Sequence, residues 1–189
     1  MILPIFSYGN SVLKKTTEEI GENYPNLKEL IENMYETMYA APGVGLAAPQ
    51  VGLSIRLFII DATGYADEEM PELDGFKKVF INAHIIEEEG EEWLFNEGCL
   101  SFPKLREDVL RKPKIRIQYL DENFKPHDEW FDDIVARIIQ HEYDHTDGVV
   151  FIDRISNLRK QLIKGKLNDI ASGNVEIPYR IKYPKKKKN

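Results

Sequence analysis

The sequence has a single cysteine, Cys99, so no disulfide within the chain can hold the fold together. It also lacks a long apolar run, since its longest stretches fall far short of the roughly 20 residues that a membrane-spanning helix needs. The first residues have neither the basic start nor the apolar centre of a secretory signal. These absences exclude a disulfide-stabilised secreted domain and a membrane-spanning protein, and they predict a cytoplasmic location.

The composition is that of one soluble globular domain. The 189 residues can bury a real core, and 42% of them are hydrophobic and 30% charged. The net charge of −7 is uneven, because residues 157–189 hold ten Lys/Arg and two Asp/Glu while the remainder is acidic. We therefore predict a single domain over residues 1–172 and a basic C-terminal tail over 173–189. The tail either contacts a polyanion or is a solvated end without a partner.

The apolar pattern predicts the elements of an α+β fold. Apolar residues recur every three or four positions over 27–40, 132–146 and 156–171, which indicates three helices. Continuous or alternating apolar residues predict strands at 56–61, 78–82, 84–89, 114–120 and 124–131. Several strands in succession between helices favour mostly antiparallel sheets, packed around the helix at 132–146, over regular βαβ alternation.

The helix at 132–146 carries the clearest chemical signal, the sequence HEYDH at residues 141–145. Two histidines four residues apart lie on one helical face, so both imidazoles can bind one ion. Glu142 can exchange a proton with a water at that ion. Ile134 and Ile138 share the stripe of the two histidines, which therefore faces the interior. A buried histidine pair without metal is the alternative.

Two histidines leave a metal ion short of ligands. The candidates for a third ligand are a carboxylate, His84, His127 and Cys99. A Cys99 thiolate with the imidazoles of His141 and His145 leaves one coordination position open for water, which is typical of a catalytic metal site. We predict this set of three for one divalent ion. The alternative role of a lone cysteine is that of a small buried hydrophobe.

Small residues dominate the segment Gly-Val-Gly-Leu-Ala-Ala-Pro-Gln at 43–50. They allow the backbone to approach a ligand or a packed sheet closely. The segment is not a phosphate-binding loop, because it lacks Gly-Lys followed by Ser or Thr. Gln50 ends it with a neutral amide that can donate a hydrogen bond to a developing oxyanion. A turn glutamine without a role is the alternative.

Together, three segments resemble the three ordered motifs of the peptide deformylase family. The matching sequences are GVGLAAPQ at 43–50, EGCLS at 97–101 and QHEYDH at 140–145. The resemblance covers roughly residues 1–170. It implies a metal-dependent amide hydrolase of protein biosynthesis, which removes the formyl group from the N-terminal N-formylmethionine of newly made polypeptides and releases formate.

The resemblance also implies individual roles. The metal would be iron(II) in the cell, with zinc, nickel or cobalt as replacements in purified protein. Glu142 would be the general base and acid, with Gln50 and the Leu100 backbone N–H as oxyanion donors. Gly45 would hydrogen-bond the substrate backbone, and the basic tail could meet ribosomal RNA. The substrate-binding residues that it implies are Val44, Gly45, Leu46 and Glu97 around the methionine, and Arg106 at the mouth of the cleft.

Two other functions stay open on the sequence. One is an HExxH metallopeptidase that cuts internal peptide bonds, although such enzymes usually take a histidine or carboxylate as third ligand. The other is a binding module in which the metal is retained for structure without turnover. No membrane or DNA partner is predicted.

Overall fold

The structure is a computed structural model that describes residues 1–185. The remaining four residues, which end the predicted basic tail, lie outside the described residues. The helices are α1 (Leu27–Ala40), α2 (Asp133–Thr146), α3 (Asn157–Leu162) and α4 (Lys164–Ser172). The strands are β1 (Ile5–Phe6), β2 (Gly45–Ala47), β3 (Leu57–Asp61), β4 (Lys77–Glu89), β5 (Trp93–Gly98), β6 (Arg106–Arg111), β7 (Lys114–Leu120), β8 (Pro126–Asp132) and β9 (Ile181–Lys182). Within residues 1–185, none of the helices has the length and apolarity needed to traverse a lipid bilayer.

A five-stranded antiparallel sheet in the order β2-β3-β4-β7-β8 lies at the centre. Side chains alternate between the two faces of a strand, so Leu57 and Ile59 of β3 join one core cluster and Phe58 and Ile60 join another. All four are fully buried. The uninterrupted apolar run of β3 thus follows from the burial of both faces of the sheet.

Helices α1 and α2 cover opposite faces of this sheet. The α1 side chains of Ile31, Met34 and Met38 pack in the cluster that contains Leu57, whereas Ile134 and other apolar residues of α2 pack in the cluster on the other face. The α2 helix contacts β2, β3, β7 and β8. The predicted α+β fold, with antiparallel sheets packed around the HExxH helix, is confirmed.

A separate hairpin, β5–β6, brings the second motif to α2. Its antiparallel register places Glu97 opposite Glu107 and Gly98 opposite Arg106. The chain then turns through Cys99 into a loop whose Phe102 packs in a third apolar cluster with residues of α4. The hairpin and this cluster therefore position the cysteine loop against the helix.

The single helix expected over 156–171 is divided into α3 and α4 at Ile163. Ile163 and Leu167 are buried, whereas Leu158 and Leu162 of α3 are exposed. A one-residue turn at Ile163, close to the poor helix former Gly165, allows the α4 side chains to reach the core. The helix is therefore divided because burying Ile163 and Leu167 outweighs the continuation of one regular helix.

Part of the predicted tail is attached to the body. Strand β9 pairs in parallel with β1, with Ile5 opposite Ile181 and Phe6 opposite Lys182. The boundary predicted at residue 172 coincides with the end of α4. Beyond it, the chain returns to the N-terminus and passes beside the cysteine loop.

Candidate active site

The side chains of Cys99, His141 and His145 meet where the cysteine loop touches α2. One ligand atom from each lies within 4.8 Å of the others. Cys99 Sγ and His145 Nε2 are 3.3 Å apart. The two histidines come from consecutive turns of α2, as their spacing predicts, and tertiary packing brings the thiol to them.

The donor set fits a divalent transition-metal ion. His141 Nδ1 lies 2.9 Å from Glu97 Oε2, which leaves Nε2 to face the other ligands. His145 Nδ1 is buried and has no hydrogen-bond partner among residues 1–185. One thiolate sulfur and two imidazole nitrogens are ligands for zinc, iron, cobalt or nickel rather than for magnesium or calcium.

The other candidate histidines lie elsewhere. His84 Nε2 is 2.7 Å from a carboxylate oxygen of Glu19, and His127 Nε2 is 2.8 Å from one of Asp121. Each is paired with an acidic neighbour outside the group of three ligands. Neither supplies the third ligand.

Glu142 lies buried beside the ligand group. Burial raises the pKa of its carboxyl to about 7, because the ionised form loses its hydration. Its Oε2 is buried without a hydrogen-bond partner within the described part of the chain. A Cβ on Gly45 would lie 2.5 Å from Glu142 Oε1, so glycine is required where β2 passes this carboxyl. The close backbone approach expected for the glycine-rich segment is made to Glu142.

Burial also affects His145, the second histidine of the candidate ligand group, in the metal-free chain. Loss of hydration, followed by the charge on His141, lowers the pKa of His145 to about 3. The imidazole of His145 is therefore neutral over the whole neutral pH range. A neutral imidazole is the form that binds a metal ion.

Gln50 is held close to Cys99. Its Oε1 accepts a hydrogen bond from Ala47 N at 2.8 Å. Its Nε2 lies 3.4 Å from Cys99 Sγ and 3.4 Å from Ser101 Oγ. The amide is 1% exposed, and its orientation follows from the backbone donor. The structure thus directs the amide N–H group of Gln50 towards the ligand group.

Glu97 lies behind the ligands. Its Oε1 accepts hydrogen bonds from Arg111 Nε at 2.7 Å and from Arg137 Nη1 at 2.9 Å, and its Oε2 faces His141. Burial opposes its ionisation, but the hydrogen bonds from His141 and Arg111 outweigh burial and lower the pKa of Glu97. Because its carboxylate is engaged in this way, Glu97 orients His141. It also lines the cavity in front of the site, and its expected part in shaping a methionine pocket stays a prediction.

A cavity of about 430 Å³ opens in front of the site. It brings together most of the residues predicted from the sequence, and it adds apolar residues from β5 and α2. The predicted residues along its wall are Val44, Gly45, Gln50, Glu97, Cys99, Leu100, Arg106, His141 and Glu142. The apolar additions include Phe95, Ile134 and Ile138.

Sequence reasoning partly misplaced the apolar wall. Leu46 is fully buried in the cluster with Met38, on the face of β2 away from the cavity. Alternation along the strand is the reason, since Gly45 faces Glu142. Ile134 and Ile138 could have been found from their shared stripe with the two histidines. Tyr179, from the C-terminal segment, carried no local signal.

Comparison with known proteins agrees with this geometry. The family model for polypeptide deformylase matches residues 2–161. The chain belongs to the peptide deformylase family. The predicted resemblance and enzyme class are thereby confirmed.

Individual relatives extend over nearly the whole chain. The chain is 57% identical to a peptide deformylase of Flavobacterium johnsoniae, covering 100% of this chain and 99% of the relative. A peptide deformylase of Cytophaga hutchinsonii is 48% identical, with 99% and 100% covered. Among solved structures, a peptide deformylase from Legionella pneumophila has a TM-score of 0.80 at 34% identity, covering 92% of this chain and 98% of that one. Another from Plasmodium falciparum has a TM-score of 0.79 at 34% identity, with 89% and 95% covered.

Proposed function

We propose that this chain removes the formyl group from N-formylmethionine at the N-terminus of newly made polypeptides, using one divalent metal ion. The observation that carries the proposal is the convergence of three ligand atoms within 4.8 Å, next to a buried carboxyl with one oxygen that has no hydrogen-bond partner among the described residues. Such a site combines a metal-binding group with a proton carrier. Family membership supports the same reaction.

Cys99, His141 and His145 would hold the metal ion, and iron(II) is the proposed ion in the cell. Zinc, nickel or cobalt would replace it in purified protein. A divalent ion held there supplies Lewis acidity, which polarises a carbonyl and makes water acidic near neutral pH. The thiolate ligand also makes the site sensitive to oxidation.

Glu142 is the proposed general base and acid. A carboxyl with a pKa of about 7 can accept a proton from the attacking water and return it to the leaving amine. Gly45 leaves the room that this side chain needs. The proton is carried by Glu142 Oε2, the oxygen without a partner within residues 1–185.

Gln50 and the Leu100 backbone N–H are the proposed oxyanion donors. The Gln50 amide is preorganised by its hydrogen bond with Ala47, so it needs no rearrangement during the reaction. Leu100 directly follows the ligand Cys99 and lines the same cavity. Each donor is neutral, and neither would repel the developing negative charge.

The substrate would enter as an extended strand beside β2. This strand is an edge of the five-stranded sheet, where Gly45 and its neighbours can offer backbone groups to a peptide. Val44, Phe95, Ile134 and Ile138 supply an apolar wall for a methionine side chain. Arg106 lies along the same cavity, in reach of residues beyond the methionine.

Release of formate from formyl-Met-Ala by the metal-loaded protein tests the function. The Glu142→Gln protein should keep its metal and lose about 100- to 10,000-fold in kcat, the usual range for one proton carrier. Glu107→Gln is the matched control, because Glu107 lies outside the cavity. Cleavage of casein with no action on formyl-Met-Ala would instead favour the internal peptidase, which family membership does not support.

Two further parts of the proposal concern the surroundings of the enzyme. Formylated nascent peptides are met at the ribosome, and the basic segment 157–189 could contact ribosomal RNA. If the tail makes that contact, removal of residues 184–189 should weaken salt-sensitive ribosome binding. Unaltered binding would contradict it. The cytoplasmic location stays a prediction.

A further inference from the structure

The C-terminal segment beyond the family match reaches the active-site cavity. The match ends at residue 161, and the chain continues through α4 to Tyr179. The Tyr179 side chain lines the same cavity as Cys99 and Glu142. Its hydroxyl donates a hydrogen bond of 2.8 Å to the Leu100 carbonyl oxygen. A residue close to the C-terminus is thus in contact with the loop that carries the cysteine ligand.

Both ends of this contact are anchored on the N-terminal segment that contains β1. Ile5 N donates to Arg180 O at 2.9 Å, and Ser7 N donates to Lys182 O at 3.0 Å, which fixes the backbone next to Tyr179. Tyr8 N donates to Ser101 O at 2.8 Å, next to Leu100. The phenol and the carbonyl are therefore held by one short segment, residues 5–8.

The other side of Leu100 is closely packed. A Cβ on Gly43 would lie 2.7 Å from Leu100 Cδ1, so the leucine side chain rests directly on the glycine-rich segment. Leu100 is thereby fixed by its side chain at Gly43 and by its carbonyl at Tyr179. Rotation of its peptide groups would break one contact or the other.

We propose that Tyr179 is a positioning residue that holds the Leu100 peptide, and with it the Cys99 ligand and the Leu100 N–H, in the geometry that the reaction needs. This inference rests on the proposed function for its kinetic consequence. The positioning of the Leu100 peptide can be measured separately, by amide hydrogen exchange, in protein that is not catalysing a reaction. Its chemical basis is one neutral hydrogen bond on a partly buried backbone carbonyl, whose loss leaves that carbonyl free to reorient.

Tyr179→Phe tests the proposal, because it removes the hydroxyl and keeps the ring. In the metal-loaded protein, kcat for formyl-Met-Ala should fall by about 3- to 10-fold, the effect of one such hydrogen bond. The KM and the metal content should stay within about twofold of the parent protein, because the apolar wall and the ligands are intact. Amide hydrogen exchange over residues 99–105 should become faster. Tyr183→Phe, in the same segment, is the matched control. It should change neither kcat nor the exchange rate over residues 99–105.

The possible results separate positioning from other roles. An unchanged kcat per bound metal in Tyr179→Phe, with a lower melting temperature alone, would show a merely structural residue and overturn the proposal. Unchanged exchange over 99–105 would overturn it as well. If the parent protein releases no formate, the proposed function fails, while faster exchange over 99–105 in Tyr179→Phe would still support the positioning.

Discussion

Glu97 is the residue whose replacement tests the architecture behind the proposed metal ligands. Its carboxylate is 4% exposed and lies against Arg111, Arg137 and His141. Glu97→Gln keeps the volume and removes the charge. After the substitution, Arg111 still has a carboxylate partner, Asp144, at 2.7 Å. Arg137 keeps only its hydrogen bonds to backbone carbonyl oxygens, because Glu97 was the carboxylate that paired with it. The substitution therefore leaves a buried guanidinium uncompensated.

The expected cost of Glu97→Gln is large. Removing one partner of a buried ion pair destabilises by roughly 3–5 kcal/mol, because the remaining charge is left in a medium of low polarity. Loss of the hydrogen bond to His141 Nδ1 should also lower metal affinity by about 10- to 100-fold. The first effect should appear in the metal-free protein and both effects in the loaded one.

Urea unfolding of the metal-free protein measures the first effect, and competition with a chelator measures the second. Glu107→Gln is the control, since Glu107 lies directly opposite Glu97 in the β5–β6 register. The side chain of its partner Arg159 is 52% exposed. That guanidinium can turn into solvent, so the control should cost about 1 kcal/mol or less and leave metal affinity unchanged.

The pH dependence has a defined sign. The folded chain lowers the pKa of Glu97 below its ordinary value of 4.5. The stability that Glu97 contributes is therefore present above pH 4.5 and is lost as the pH falls towards the lower folded pKa. The difference between parent and Glu97→Gln should be full at pH 7 and shrink below pH 4.5. A difference under about 1 kcal/mol at pH 7, with unchanged metal affinity, would refute the reasoning.

Three further predictions concern the ligand group and the neighbouring carboxyl of Glu142. Cys99→Ser should lose most of the bound metal, measured by elemental analysis, and full activity with one bound ion would show that the ligand set is wrong. Gly45→Ala places a methyl against Glu142 and should lower kcat/KM by about 100-fold while metal is retained; an active Gly45→Ala protein would show that Glu142 can move freely. In the metal-free protein, ionising Glu142 between pH 4.5 and about 7 costs folding stability. Glu142→Gln should therefore be more stable than the parent by about 3 kcal/mol above pH 7 and by little below pH 4.5, and equal urea midpoints at pH 8 would contradict this.

Local sequence was sufficient to predict the helices, the longer strands of the central sheet and two of the three residues of the ligand group. The short strands and the β5–β6 hairpin were not predicted. The helix bearing HEYDH was expected over 132–146, and α2 spans Asp133–Thr146. Helical periodicity acts over four residues, so the pairing of His141 with His145 needs no knowledge of the rest of the fold. The apolar stripe of α2 likewise marked Ile134 and Ile138, which face the cavity.

Contacts between distant segments required the packed structure. The orientation of β2, which turns Leu46 into the core and Gly45 towards Glu142, depends on its register with β3. The position of Glu97 behind His141 depends on how the β5–β6 hairpin docks on α2.

Tyr179 shows the same division between local pattern and packing. It is 79 residues from Leu100 along the chain, and it reaches the loop because β9 pairs with β1. Residue types and their spacing describe chemistry within one element. Which elements touch is decided by burial of apolar faces and satisfaction of backbone hydrogen bonds across the whole chain, so these partners emerge only from the tertiary structure.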